Sequence, residues 1–229
     1  MPRINVKDKR KQQLIEANIA SIAKRGLEGT TIAHVSKGAG MSRGIVNFYF
    51  TSKEKMMQET LSFLVDEVTV IWKETIAAGR EHGVDSLEIA EGVLRMLMSD
   101  RICSAKRMLV WSAFFGYAGT HAAFARIIRT MDDALTAQLK KLWQEAEYEP
   151  RAAETHARQL LALIRGHWLM AAMTDNEKKP SGFIDAWVEL LRGEPISEKE
   201  KSKRAAASKA RKHAGDEEGD PDILDLFAV

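Results

Sequence analysis

A single cysteine, Cys103, stands in 229 residues, so no intrachain disulfide can staple this chain, and such usage fits a reducing compartment. Proline is scarce, at 5, and no alternating apolar–polar run marks a strand. No stretch comes near the roughly 20 apolar residues that a membrane-spanning helix needs, so a membrane is not an expected partner. Met1–Gln13 is basic and polar, without the apolar centre of a secretory signal, and a cytoplasmic location is expected. Catalytic signatures are missing too. His34, His82, His121, His156, His167 and His213 are scattered without an H-E-x-x-H pair, and no phosphate-binding loop or dinucleotide glycine pattern occurs. No catalytic residue, metal ligand or cofactor is expected, and the chain does not read as an enzyme.

What is present is long 3.6-residue periodicity, which predicts an all-α fold. A first helix spans Asp8–Arg25, with Leu14, Ala17 and Ile22 on its apolar stripe and Gly26 at its end. Lys53 to about Ala78 reads as one long helix closed by Gly79 and Gly83; at 1.5 Å per residue it extends close to 40 Å. Further helices are predicted over Asp85–Asp100, Ser104–Ala118, His121–Glu147, Arg151–Thr174 and Pro180–Leu191. The last carries Phe183, Ile184, Trp187 and Leu190. Beyond it the composition changes: 197–213 is rich in Lys, Arg and Ala, 215–225 is acidic, and Ile223, Leu224, Leu226 and Phe227 form a small apolar end. Such a segment is expected to be a charged, disordered tail. The division predicted is 1–60, 61–195 and 196–229.

Thr30–Lys53, TTIAHVSKGAGMSRGIVNFYFTSK, organises the rest. Thr30 or Thr31 can cap a short helix with Ile32, Ala33, Val35 and Ala39 as its apolar positions. Gly40 suits the left-handed residue that ends it. Ser42 then caps a second short helix, about Arg43–Phe48, and Thr51 or Ser52 starts the next. Helix, glycine turn, helix is the layout that places its second helix in the DNA major groove. On that helix Arg43, Gly44, Asn47 and Phe48 share one side, and Val46, Tyr49 and part of Ile45 the other. Arg43 can give two hydrogen bonds to a guanine edge, Asn47 can pair with adenine, and Gly44 lets the backbone approach a base. Thr31, Ser42, Tyr49 and Lys53 sit at helix ends where phosphates are held. Residues 1–60 carry 11 Lys/Arg against 5 Asp/Glu, a balance of +6, and the remainder carries 23 against 27, or −4. A basic head on a mildly acidic body suits a nucleic-acid partner.

The order T-I-A-x-V-x-x-x-A-G-M-S-x-G-x-V-x-x-Y-F-x-S-K-E resembles the N-terminal domain of TetR-type transcriptional repressors. Within 104–126, K-R-M-L-V-W-S-A-F-F and H-A-A-F-A-R, and over 160–172, L-L-A-L-I-R-G-H-W-L-M-A-A, the chain resembles the choline-sensing BetI branch. The resemblance covers about residues 8–192. It implies an N-terminal helix-turn-helix domain, a larger helical ligand-binding and dimerisation domain, a homodimer on a palindromic operator, and a small-molecule inducer, choline or another quaternary ammonium compound.

Aromatic rings can hold such a cation through cation–π contacts of about 0.5–2 kcal/mol each. Trp111, Phe114, Phe115, Tyr117 and Trp168 are the candidate ligand-binding residues, with Asp66, Glu67 or Glu91 as the counter-charge. The plain alternative is that these rings fill the core. The apolar faces near Leu160–Trp168 and Phe183–Leu191 are the expected dimer surface. A second function class, a helical protein-interaction module whose head does not bind DNA, fits the same periodicity.

Overall fold

The computed structural model describes residues 6–99 and 102–173. Among these there are eight helices and no strand. The predicted helix Pro180–Leu191 and the tail 196–229 lie outside the described residues.

α1, Val6–Gly29, is broken at Gly26, whose φ of 70° no other residue adopts cheaply. Thr30 closes that break: its buried hydroxyl donates to the Gly26 carbonyl at 2.8 Å and meets Ser21 Oγ at 3.1 Å. Thr31, not Thr30, caps α2 (Ile32–Gly38), accepting from the His34 amide. Gly40 follows with φ 64°, as the turn requires. Ser42 caps α3 (Arg43–Tyr49) by accepting from Ile45 N, and Ser52 caps α4 (Lys53–Glu81) by accepting from Lys55 N. The head core is Leu14, Ile19, Ile22, Val35, Val46, Phe50, Met56 and Leu61, each at most 2 % exposed. Inside it Asn18 Nδ2 donates to Thr60 Oγ1 at 2.8 Å, tying α1 to α4 through a buried polar pair.

α4 is 29 residues long, about 43 Å. It leaves the head and enters a body of four more helices: α5 (Ser86–Leu97, capped by Asp85), α6 (Ala105–Ala118, capped by Ser104), α7 (Ala122–Glu145) and α8 (Pro150–Met173). Pro150 opens α8, where a missing N–H costs nothing. α4 packs on α5 and α7, α7 on α8, and α6 on both α8 and α1. Trp72, Leu97, Trp111, Phe114, Phe124, Leu139, Trp143 and Trp168 fill the centre. α6 is buried on more than one face because it sits between the body and α1, so Met108, Trp111 and Phe114 are all enclosed.

α8 corrects one expectation. Leu160, Ile164 and Trp168 are 1 % exposed and belong to the core of their own chain. The outward face carries Leu169 at 50 %, Met170 at 60 % and Met173 at 78 % exposure instead.

Gly79 corrects another. α4 does not stop there; it runs on to Glu81, and Gly83, with φ 66°, follows its end. A Cβ built on Gly79 would lie 2.5 Å from Ile89 Cγ1 on α5, and Ile89 is buried. The glycine is there to let α5 approach. Gly79→Ala gains helix propensity of about 1 kcal/mol, but overpacking against a β-branched neighbour costs about 1–3 kcal/mol. The variant should melt below the wild type, and Gly79→Ala combined with Ile89→Ala should show a favourable coupling in a double-mutant cycle.

Candidate nucleic-acid interface and effector site

Seven residues make α3, and its two faces differ sharply. Val46 is fully buried and the following Phe50 is 1 % exposed. Arg43, Gly44, Asn47 and Phe48 face solvent together. Nothing in the head demands a glycine at 44: an added Cβ would meet only Ser42 Oγ, at 3.7 Å. Thr31 and Ser42 are exposed at the N-termini of α2 and α3, and Tyr49 is half-buried at the C-terminal end of α3. Lys53 Nζ donates to the Glu28 carbonyl at 2.8 Å, so it also pins the start of α4 to the end of α1.

Phe48 is a feature that the sequence pattern placed on the outer side without a role. It is 73 % exposed, stands edge-on to Tyr49 at 5.3 Å, and lies under Lys7 Nζ at 5.8 Å. An exposed ring beside the polar side chains of Arg43 and Asn47 offers an apolar surface of the kind that meets a thymine methyl.

In the body the five candidate rings fall into two groups. Phe114 and Tyr117 gather on Phe124, at centroid distances of 6.0 and 5.0 Å, with His121 stacked on Tyr117 at 3.5 Å. Tyr117 and Phe124 line a small pocket of about 270 Å³ together with Leu27, Met57 and Lys53. Trp111, Phe115 and Trp168 form the other group: Trp111 lies 5.4 Å from Phe115 and 5.2 Å from Trp168. Their shared space already holds a cation. The Arg165 guanidinium carbon sits 5.6, 4.6 and 4.9 Å from the three ring centroids, and its Nη2 donates to Asp132 on α7. Burial pushes the Asp132 carboxyl above its ordinary range even though Arg165 opposes the shift, and burial also lowers Arg165.

A wider cleft of about 420 Å³ opens between α4 and α6. Phe63, Val68, Ile71, Ile102 and Trp111 give it apolar walls, and Asp66, Glu67 and Arg107 its charges. Two of the three candidate carboxylates therefore share a cleft with Trp111. Glu91 does not; it pairs with Arg95 on its own helix at 2.8 Å. Arg107 donates to Glu67 on α4 and, at 3.3 Å, to Glu16 on α1. It thus joins the cleft wall to the helix that carries the head. Glu67 is raised above the usual carboxylate range because its burial outweighs the attraction of Arg107.

Arg107 and Arg165 were missed from sequence because neither has its partner at helical spacing. For Arg165 the available signal was position, a single arginine closing the otherwise apolar run 160–164; Arg107, which follows Lys106, offered none. Among the described residues no group of His, Cys, Asp and Glu could hold a metal ion.

Arg107→Ala would leave Glu16 and Glu67 facing each other uncompensated. With all three groups partly exposed, the loss should be about 1 kcal/mol at pH 7. Losing the arginine raises Glu67 further, so the deficit is full at neutral pH and shrinks as pH falls through the raised Glu67 range, before the ordinary carboxylate range of about 4–5 is reached. Thermal melts of the pair at neutral and acid pH check both points. Cys103 is fully buried, its Sγ donates to the Leu97 carbonyl at 3.3 Å, and burial pushes its thiol up to about 12. Since only the thiolate reacts, the native protein should resist iodoacetamide at pH 8 and become alkylated on unfolding, as mass spectrometry would read.

Comparison with known proteins bears on both parts. Residues 14–60 match the family model "Bacterial regulatory proteins, tetR family", and residues 87–191 match "BetI-type transcriptional repressor, C-terminal". The chain is 30% identical over 196 residues to the HTH-type transcriptional regulator BetI of Vibrio atlanticus, covering 82% of this chain and 94% of that one. A transcriptional regulator from Rhodococcus sp. Rha1 superposes with a TM-score of 0.68 at 25% identity, over 81% of this chain and 95% of its own. The fold is shared with FadR of Bacillus subtilis, solved in complex with stearoyl-CoA, at a TM-score of 0.65 and 16% identity, over 80% of this chain and 97% of that one. The protein belongs to the TetR family of DNA-binding transcriptional regulators, with a body of the BetI type.

Proposed function

We propose that this regulator works as a homodimeric, cytoplasmic repressor that two heads hold on a palindromic operator and that a small organic molecule in the body releases. The observation that carries the reading is α3 itself: an outer face of Arg43, Gly44, Asn47 and Phe48 on a helix whose inner face is locked by Val46 and Phe50. Arg43 and Asn47 read base edges, Gly44 gives close approach, and Phe48 adds apolar contact. Thr31, Ser42, Tyr49 and Lys53 hold phosphates.

One seven-residue helix reads only a few base pairs. A second copy supplies the rest, with half-sites a helical turn or a multiple apart. The exposed Leu169, Met170 and Met173 on α8 suit such pairing. For the ligand, the α4–α6 cleft with Trp111, Glu67 and Arg107 is the proposed entry. The sequence resemblance makes choline or another quaternary ammonium the first class to try. Displacing Arg107 there would loosen the tie between α4, α6 and α1, and so the posture of the head. To release most of the DNA, the ligand must favour the non-operator state by about 5 kcal/mol.

The test is a gel shift on the DNA upstream of its own coding region, at fixed salt, with competitor DNA, before and after choline. A saturable, competitor-resistant shift is expected. Arg43→Ala and Asn47→Ala should each cost about 1–3 kcal/mol and relax the sequence preference at one position, whereas Lys53→Ala should weaken binding to all sequences and flatten the salt dependence. A folded protein indifferent to all three substitutions would instead be a helical interaction module.

A further inference from the structure

The aromatic cage of the body is complete without an external ligand. Trp111 and Phe115 come from α6, Trp168 and the Arg165 guanidinium from α8, and the carboxylate of Asp132 from α7. Three rings and one enclosed carboxylate are what a weakly hydrated organic cation needs: faces to sit on, and a counter-charge that offsets its desolvation. Guanidinium is planar, delocalised and poorly hydrated, so it uses ring faces as a quaternary ammonium does. Trp168 is held in place by a hydrogen bond, its Nε1 donating to the Leu97 carbonyl at 2.8 Å, which fixes that wall of the cage.

We infer that Arg165 is the resident cation of this cage and the residue that sets what the body accepts: an organic cation-binding site built by Trp111, Phe115, Trp168 and Asp132 and filled from within. An outside cation cannot enter while Arg165 stays. To displace it, a ligand must strip the guanidinium of three ring contacts and of its carboxylate together, and a largely buried ion pair opposes the loss of either partner. Any quaternary ammonium that acts on the wild-type protein does so at the α4–α6 cleft. With the side chain removed, the cage has a negative charge, three ring faces and room, and it takes tetramethylammonium or methylguanidinium. The inference stands apart from operator reading, because its readout is ligand binding without DNA.

Arg165→Ala, Arg165→Ala with Asp132→Asn, and the wild type are melted against tetramethylammonium chloride and methylguanidinium chloride at millimolar concentrations, with sodium chloride as the ionic-strength control and tryptophan fluorescence as a second signal. Any response of the wild type to either salt should survive Trp168→Leu, because it does not arise in the cage. Arg165→Ala should melt lower, and both cations should raise its melting temperature saturably with a change in tryptophan emission, binding roughly tenfold or more tighter than to the wild type. The double variant should lose that response, since the counter-charge has gone. If Arg165→Ala does not fold in plain buffer, refolding with methylguanidinium should recover it and refolding with sodium chloride should not. Saturable wild-type binding that is abolished by Trp168→Leu would overturn the inference. So would an Arg165→Ala protein that neither cation stabilises, or that methylguanidinium fails to refold.

Discussion

A helix of seven residues has no stability of its own: isolated helices below about 12–15 residues are marginal in water. α3 exists because Val46 and Phe50 are sunk into the head core, and because Ser42 and Ser52 cap what lies on either side. Everything that faces DNA inherits its position from those few groups. Arg43 and Asn47 can be base readers only because the core decides which side of α3 looks outward.

The core that holds α3 is made largely by α1 and α4, and neither helix ends in the head. α4 continues into the body, and α1 packs on α6. Arg107 adds an ionic bridge between these same elements through Glu16 and Glu67. A body ligand therefore needs no special wire to reach the recognition helix. On the proposed reading it would bias the packing of α4 and α6, and the head would follow because α4 and α1 are its own walls. Coupling of this kind is carried by contiguous packed elements with alternative arrangements. The cleft that could take such a ligand lies between α4 and α6, with Arg107 at its rim.

Local chemistry was legible in the sequence; tertiary substitution was not. The cap at Ser42 and the left-handed Gly40 follow from rules that act within a few residues, and both are found as expected. Gly79 misled because its cause is Ile89 on another helix. Leu160, Ile164 and Trp168 were expected at a dimer surface because periodicity identifies an apolar face without saying what covers it, and here the chain's own core does. The aromatic residues of the body were found by composition and spacing. That Arg165 would stand among three of them, paired to an aspartate 33 positions away, depends on three helices meeting, and no periodicity reports that.

The central claim is that two copies of α3 read two half-sites on one face of a duplex. A hydroxyl-radical footprint of the full-length protein on its own upstream DNA tests it most directly. Two protected patches in inverted repeat are expected, their centres one helical turn or a multiple apart, about 10 base pairs per turn. Protection that spreads without sequence register, or a single unrepeated patch at saturation, would contradict it.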